Sequence, residues 1–486
     1  MSLAPAPPPL GLPIKLTYGL GSVAMGVALA VLSASVVQLY FSRVLGIPAV
    51  WVGAAILISL TVDAALDPLI GQWTDNMRSR WGRRHPFMYA AAVPTAAFFY
   101  LLWHAPRGLD VNALFAFSIA MLIGVRISLS LYEVPSNALA PELAPDYDQR
   151  TSLFAYRWFF MILAVSGMTF ILYFVYLRTD ASNPAGVMNR ERYGAFAALG
   201  SAIMFLCILI SSAATHSRIP YLHRPPARKI TFPDTVREIA FTFANPALIS
   251  IVVATILGGA AYGMTTALSS YFYLDLWGLE PQAIGPLVSI GLLLAVPFVF
   301  VAPAISLRFG KKRSMLGLFS GSLVVGLAPI SARMLGLMPP NGGKLLYGLL
   351  ITDVMATYAL SLIAYVVLSS MVADVAEDQA VRSGARSEGV LFAANGLVPK
   401  ITTGIGAFLA GLVLNVVHFP TRAAPGSVDP EIVRHLALIY LPCIAVLTGS
   451  SIAALSFYKI DRATHERNLE RLREAAALAS GDGPSV

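Results

Sequence analysis

Long apolar segments recur along the whole chain and are separated by short polar stretches. Each segment has about the 20 residues that an α-helix needs to cross the hydrocarbon core of a bilayer. Strands of a membrane barrel would be about ten residues long with strict alternation, and these segments are not. The pattern predicts twelve membrane-spanning helices, at 16–41, 52–73, 87–104, 113–139, 153–177, 194–215, 247–274, 286–307, 315–334, 346–370, 389–417 and 436–458.

A polar interruption of about thirty residues falls between the sixth and seventh spans. It divides the chain into a six-helix N-terminal half (1–215), a cytoplasmic central loop (216–246), a six-helix C-terminal half (247–458) and a cytoplasmic tail (459–486). Similar basic turns, RWGRR at 80–84 and RFGKK at 308–312, follow the second span of each half, which indicates a duplicated unit. The predicted fold class is an all-α membrane protein with twelve transmembrane helices in two six-helix halves.

Composition agrees with this prediction. Of the 486 residues, 57% are hydrophobic and only 12% are charged, whereas soluble domains carry about 25% charged residues. The two cysteines lie inside apolar segments, so a disulfide framework is not expected. The first 13 residues are rich in proline and lack the pattern of a cleaved signal peptide.

The net charge of +8 is explained by topology. With both termini in the cytoplasm, 22 of the 34 Lys and Arg residues lie on the cytoplasmic side and nine on the other. This bias is the positive-inside signal, so no nucleic-acid partner is needed. We call the side with the termini and the loops after even-numbered spans the basic face, and the other side the opposite face. The prediction is a multi-pass protein of the cell membrane, the inner membrane in a bacterium, in contact with the lipid bilayer.

Two acids lie inside the second span. Asp63 and Asp67 are four residues apart and therefore share one helix face. Carboxylates this close repel unless they bind a cation or hold a proton. The pair is therefore a candidate cation or proton site, and a metal site only if the coupling ion is Na⁺. The alternative is that one acid caps a helix break at Pro68.

The fourth span carries a polar stripe. Arg126, Ser130, Glu133 and Asn137 recur at helical spacing. Glu133 is a candidate for the cation site, with Ser130, or for hydrogen bonding to a substrate, with Asn137. Arg126 is a candidate coupling or gating residue, or it simply neutralises Glu133 or an acid of the second span. Charged groups at this depth are costly unless they face a partner or a wet cavity.

Further polar candidates lie in other spans. Lys400 is predicted to face the acids of the second and fourth spans and to exchange partners during transport, with Asn395 as a substrate-binding neighbour. Arg157 binds substrate or anchors the fifth span at the interface. Asp353 is a gate residue or lies at the interface, and Tyr262 is a candidate for stacking on a sugar ring.

Several motifs, in this order and at these spacings, resemble the glycoside–pentoside–hexuronide:cation symporters, the melibiose-permease-like branch of the major facilitator superfamily. The motifs are KLTYGLG at 15–21, DxxxDPxxG at 63–71, RSRWGRRHP at 78–86, YEVPxxALxPEL at 132–143, the segment 146–157, and MVAD at 371–374 with a lysine downstream at 400. The resemblance implies a carrier that works by alternating access and is driven by Na⁺, Li⁺ or H⁺.

The resemblance also implies roles for individual residues. The family's cation site corresponds to Asp63 and Asp67, and the acid that it shares between cation and sugar corresponds to Glu133. Its lysine of the eleventh helix corresponds to Lys400, and a polar neighbour corresponds to Asn395. An arginine of its fifth helix has a near match in Arg157.

Three residues differ from the family pattern and change the expected substrate and coupling ion. Gly26 replaces a sugar-binding acid and Asn137 replaces an aromatic residue that stacks on the sugar, so a galactoside is not expected. Leu66 replaces a common polar cation ligand, which favours H⁺ over Na⁺. The sequence thus predicts H⁺- or Na⁺-coupled symport of a glycoside by a monomer, with no cofactor besides the ion. The alternatives are a carrier of an amphiphile such as a lysophospholipid and, from another class, a polytopic membrane enzyme.

Overall fold

The computed structural model describes residues 10–144, 146–222, 246–383 and 396–458, with positions 467 and 470 of the tail. Within these ranges, twelve helices are long and apolar enough to span a membrane. This confirms the predicted number of spans and the all-α class. In chain order, α1 to α12 are Leu12–Val31, Ala49–Asn76, His85–Trp103, Val111–Leu143, Asp148–Tyr176, Arg190–His216, Leu248–Leu276, Pro281–Phe309, Lys311–Met334, Lys344–Asp378, Val398–Val416 and Pro430–Ser456.

The two halves, α1–α6 and α7–α12, meet along α2 with α11 and along α5 with α8. These two pairs correspond to each other under the six-helix repeat. Glycine allows α2 and α11 to pack closely: a Cβ on Gly53 would lie 2.7 Å from the carbonyl oxygen of Ala407, and one on Gly404 would lie 2.9 Å from the Cα of Leu57. Small residues permit such close backbone approach between membrane helices.

The first helix of each half ends in the same way. After α1, a bend at Ser33 leads into a short helix, Ala34–Gln38, and a π-helical turn at Leu39–Val44, and α7 ends in a π-helical turn at Phe272–Leu276. A glycine in the left-handed region follows each turn, Gly46 with φ 88° and Gly278 with φ 57°. The structure therefore shows a second repeated element. It also corrects the prediction of one unbroken helix at 16–41.

The repeated basic turns occupy equivalent positions on the basic face. Arg83 pairs with Glu142 at the end of α4, and Lys311 Nζ lies 2.6 Å from Asp374 Oδ1 near the end of α10. Each turn thus ties the loop after the second helix of its half to the fourth helix. Most of the predicted central loop and tail lies outside the described residues.

Candidate cation and substrate site

Lys400 links the two halves at the acid pair of α2. Its ammonium Nζ lies 2.8 Å from Asp63 Oδ2 and 2.6 Å from Asp67 Oδ2. Only 7% of the Asp63 side chain and 14% of the Asp67 side chain are exposed, against 26% for Lys400. The acids belong to the N-terminal half and the lysine to the C-terminal half, so a single ammonium holds α2 to α11.

The helix that carries the acids does not break between them and the basic face. Pro68 lies inside α2, which runs to Asn76, so neither acid caps a helix break there. Asp67 Oδ1 is buried and has no hydrogen-bond partner among the described residues. The acid pair therefore has a buried acceptor oxygen, Asp67 Oδ1, in addition to the two oxygens that bind Lys400.

The polar stripe of α4 faces α2 at two successive turns. Ser130 Oγ donates a hydrogen bond of 2.8 Å to Asp63 Oδ1. One turn farther from the basic face, Arg126 Nε donates a hydrogen bond of 3.1 Å to Ser59 Oγ. Ser130 lies at the cation-site candidate, whereas Arg126 forms no ion pair with any carboxylate of the described residues. The Asp63 carboxylate still interacts electrostatically with Arg126. Neutralisation of an acid of α2 by Arg126 therefore stays a prediction, whereas Glu133 has a different partner.

Arg157 of α5 takes that role. Its Nη2 lies 2.7 Å from Glu133 Oε2, and its Nη1 donates a hydrogen bond of 2.7 Å to Ser136 Oγ. Only 6% of the Arg157 side chain is exposed, so the alternative of an interface anchor is wrong. Asn137 Nδ2 donates a hydrogen bond of 3.3 Å to the same Glu133 oxygen, and Asn137 itself is exposed.

The remaining candidates lie apart from this cluster. Tyr262 of α7 exposes 51% of its surface, although it lies near the middle of a membrane-spanning helix. Asp353 of α10 has no ionic partner among the described residues, so it forms no gate pair in this conformation. Asn395 lies outside the described residues.

One buried ion pair between the two halves was not predicted from the sequence. At the opposite face, Arg43 Nη1 after α1 lies 2.6 Å from Asp275 Oδ2 of α7, with side-chain exposures of 1% and 2%. Arg43 also donates a hydrogen bond of 2.9 Å to the carbonyl of Ala423, in the loop between α11 and α12. Nearby, Ser35 pairs with Ser270 across the halves. The available signal was the position of both charges in the repeated turn that ends α1 and α7.

The exposure of the central cluster differs between the two faces of the molecule. Along α4, Ser130 is 7% exposed, the Glu133 side chain is 15% exposed, and Asn137, nearest the basic face, is exposed. From Ser130 to Asn137, exposure therefore increases toward the basic face, while a buried ion pair joins the two halves at the opposite face. A buried charged cluster between two six-helix halves of membrane-spanning helices is typical of a membrane transport protein.

Comparison with known proteins specifies the family. The sequence profile of the family described as MFS/sugar transport protein matches residues 17–462, and the chain belongs to this family. It is 26% identical to an uncharacterized symporter, sll1374, of Synechocystis, over 93% of this chain and 94% of that protein. It is 23% identical to YagG, a putative glycoside/cation symporter of Escherichia coli, with coverages of 97% and 98%.

Other comparisons give the same class. A putative 2,3-dihydroxypropane-1-sulfonate exporter of Escherichia coli is 23% identical, with coverages of 96% and 97%. Among solved structures, a point mutant of the nucleoside transporter NupG superposes with a TM-score of 0.64 at 15% identity, covering 91% of this chain and 99% of that one. That likeness concerns the fold alone. The family and its neighbours are transporters, so the chain is not an enzyme.

Proposed function

We propose that the protein is a symporter in which Asp63 and Asp67 bind the coupling cation, H⁺ or Na⁺, and a glycoside or related small polar molecule binds beside them. The observation that carries the proposal is the single ammonium of Lys400 between two carboxylates of the other half. The ammonium is a monovalent cation held where a coupling ion would be held. Ion and lysine would therefore compete for the same oxygens.

This competition supplies a coupling mechanism. In the conformation closed at the opposite face, Lys400 neutralises the acid pair and joins α2 to α11. Binding of H⁺ or Na⁺ at Asp63 and Asp67 removes the attraction that holds the lysine. The two halves then separate at lower energetic cost, and substrate that binds between them stabilises one arrangement over the other. Ion and substrate act through the same contact between the halves, as coupled transport requires.

The substrate class rests on the relatives and on the lining of the site. One relative is named a glycoside/cation symporter and another a dihydroxypropane-sulfonate exporter. Both of these substrates carry hydroxyl groups. Asn137 and the Glu133–Arg157 pair provide hydrogen-bonding groups for such a molecule, and Tyr262, which lies apart from them, provides an exposed aromatic face. We assign these residues to substrate binding.

Orientation and assembly complete the proposal. The excess of Lys and Arg on the basic face supports cytoplasmic termini and insertion in a cell membrane. In that orientation the site is accessible from the cytoplasm. One chain contains all the candidate residues, which supports a functional monomer. The only non-protein component that the proposal includes besides the substrate is the coupling ion.

Uptake by proteoliposomes that contain the full chain tests the proposal. An inward H⁺ or Na⁺ gradient should drive accumulation of a labelled glycoside above its external concentration. The double variant Asp63→Asn/Asp67→Asn should lose accumulation while keeping downhill exchange, because the ion has no carboxylate to bind. Glu431→Gln, at an exposed pair on the opposite face, is the matched control and should accumulate as the wild type does. Full accumulation by the double variant would refute the cation site, and uptake of lysophospholipid instead of glycoside would refute the substrate class.

A further inference from the structure

Asp353 is an acid inside a membrane-spanning helix that the proposed coupling mechanism does not use. It is partly buried and lies in the half of α10 nearer the opposite face. Its carboxyl forms no hydrogen bond or ion pair within the described residues, and no Lys or Arg among them interacts with it electrostatically. A carboxylate without a counter-ion at this depth is costly. The same group is neutral, and therefore stable there, when it holds a proton.

Two phenols from other helices adjoin Asp353. Tyr273 in the last turn of α7 and Tyr440 of α12 both interact with it electrostatically. The hydroxyl of Tyr440 lies 2.9 Å from Thr265 Oγ1 of α7 and already shares a hydrogen bond with it. Phenols are neutral at physiological pH, so neither tyrosine balances a carboxylate charge.

The charged residues of the helices around Asp353 lie near helix ends. Arg333, at the opposite end of α9, donates a hydrogen bond of 3.0 Å to the carbonyl of Pro339, and its guanidinium lies 5.2 Å from the centroid of the Trp277 ring. Apart from Asp353, the charged or titratable groups near these ends are Asp275 of α7, Arg308 of α8, Lys311, Lys312, Arg313 and Arg333 of α9, Lys344, Asp374, Glu377 and Asp378 of α10, and Glu431, Arg434 and His435 of α12.

Hydroxyl groups extend from Asp353 to the contact between the halves. Tyr273 interacts electrostatically with Tyr173 of α5, whose hydroxyl lies 3.4 Å from Ser270 Oγ. Ser270 pairs with Ser35 of the other half. Separation of the halves at these two serines would therefore admit water to polar groups that lead from the opposite face toward Asp353.

We propose that Asp353 is a second proton-binding site, separate from the acid pair of α2. It holds a proton while the halves are joined at the opposite face, and it exchanges that proton with water on the opposite side when they separate there. Release breaks the O–H bond, leaves its electron pair on the carboxylate and transfers the proton to water. The inference goes beyond the proposed symport function, because the site takes a proton whichever cation Asp63 and Asp67 bind.

Infrared spectroscopy of the purified full chain tests the protonation state. At neutral pH the wild type should show a carbonyl stretch of a protonated carboxylic acid that Asp353→Asn lacks and Asp353→Glu keeps. The matched control is Asp429→Asn, because Asp429 is an exposed N-cap at the opposite face, its solvated carboxylate contributes no such band, and asparagine also caps a helix. Identical spectra for the wild type and Asp353→Asn in this region would overturn the inference. Titration of the wild type needs no variant: the band should disappear reversibly as the pH rises.

Labelling of a reporter cysteine tests the exchange with the opposite side. Ser269→Cys, in a chain with Cys207→Ser and Cys443→Ser, reacts with a membrane-impermeant maleimide added from the opposite face when that face opens. Because the closed conformation binds the proton more tightly than the open one, raising the pH should favour opening, by at most about tenfold per pH unit for one proton.

The labelling rate at each pH is divided by that of the same reporter chain with Asp353→Asn, which removes the pH dependence of the thiol itself. This ratio should rise from about pH 6 to about pH 9, because only the chain with the acid becomes charged. A ratio that does not change with pH would contradict the exchange of a proton at Asp353.

Failure of this inference can be distinguished from failure of the proposed function. When both reporter chains also carry Asp63→Asn/Asp67→Asn, the ratio should still rise with pH; loss of the rise would assign the proton to the acid pair and refute the second site. Absence of cation-driven uptake by the wild type, together with an intact rise of the ratio, would refute symport and support the role of Asp353.

Discussion

Lys400 carries a positive charge that would be costly inside a membrane without its two acids. Because the ammonium lies within 2.8 Å of Asp63 Oδ2 and within 2.6 Å of Asp67 Oδ2, each acid depends on it for neutralisation. Removing one member of such a group leaves the others buried and unpaired, which costs more than the net value of the interaction. The residue therefore affects both stability and coupling.

Lys400→Ala is predicted to lower the free energy of unfolding by about 1–3 kcal/mol, because the two carboxylates lose their counter-ion. It should also abolish cation-driven accumulation. Thermal unfolding in detergent and uptake by proteoliposomes measure the two effects. Lys312→Ala, which removes a lysine that binds the carbonyl of Ser456 at the exposed basic face, is the control for both. Wild-type accumulation by Lys400→Ala would contradict the role of the lysine.

Sequence reasoning at this scale gave the candidate residues but not all of their partners. The acids of α2 and the lysine of α11 were predicted to meet because an isolated charge in a membrane needs an opposite charge. The choice between Arg126 and Arg157 as the partner of Glu133 was not accessible, because both arginines are compatible with it by charge and depth. The packing of α5 against α4 decides between them, because it brings Arg157 Nη2 to 2.7 Å from Glu133 Oε2.

At the scale of helices, the contact between α2 and α11 depends on glycine. Backbone atoms of Ala407 and Phe408 occupy the space where a side chain at Gly53 would begin. The hydrophobic pattern predicted both helices but not their contact, because periodicity reports which residues are apolar and not which helices touch. The same limit explains why the bend at Ser33 was missed: the apolar run continues through it.

Gly53→Ala is predicted to destabilise the protein by about 1–3 kcal/mol, because overpacking forces α2 and α11 apart. The matched control is Gly449→Ala in α12, where a Cβ would meet no atom within 4 Å. Thermal unfolding should show a lower midpoint for Gly53→Ala and an unchanged or higher midpoint for the control. Equal midpoints for both variants would mean that the helices are not in close contact.

At the scale of the whole molecule, the closed opposite face depends on the buried Arg43–Asp275 pair, which joins the first helix of each half. The twelve spans and the division into halves follow from the sequence because bilayer thickness fixes the length of each apolar run. The closing pair does not, because its members are 232 residues apart and each resembles an ordinary charge at the end of a span. Arg43 and Asp275 lie in the repeated turns that precede Gly46 and Gly278, and this repeat is the feature that relates the two charges.

Arg43→Gln is predicted to open the opposite face, because it leaves Asp275 buried without its counter-ion, a change that typically costs about 3–5 kcal/mol. A single cysteine at Ser269, in a chain whose Cys207 and Cys443 are replaced by serine, reports opening. A membrane-impermeant maleimide added from the opposite face should label it faster in the variant.

The control for this experiment is Arg107→Gln, which removes an exposed ion pair with Glu191 on the same face but within one half. Its labelling rate should equal that of the unsubstituted reporter chain. A rate in Arg43→Gln that is no higher than in the control would mean that the buried pair does not hold the halves closed.

The central claim is that the acid pair of α2 links cation binding to substrate binding through Lys400. The most direct measurement is the Kd of the substrate, by calorimetric titration, with and without the coupling cation, in the wild type and in Asp63→Asn/Asp67→Asn. The wild type should bind about tenfold more tightly when the cation is present, a coupling free energy of about 1.4 kcal/mol, and the double variant should show no dependence. A substrate Kd that is independent of the cation in the wild type would contradict the account.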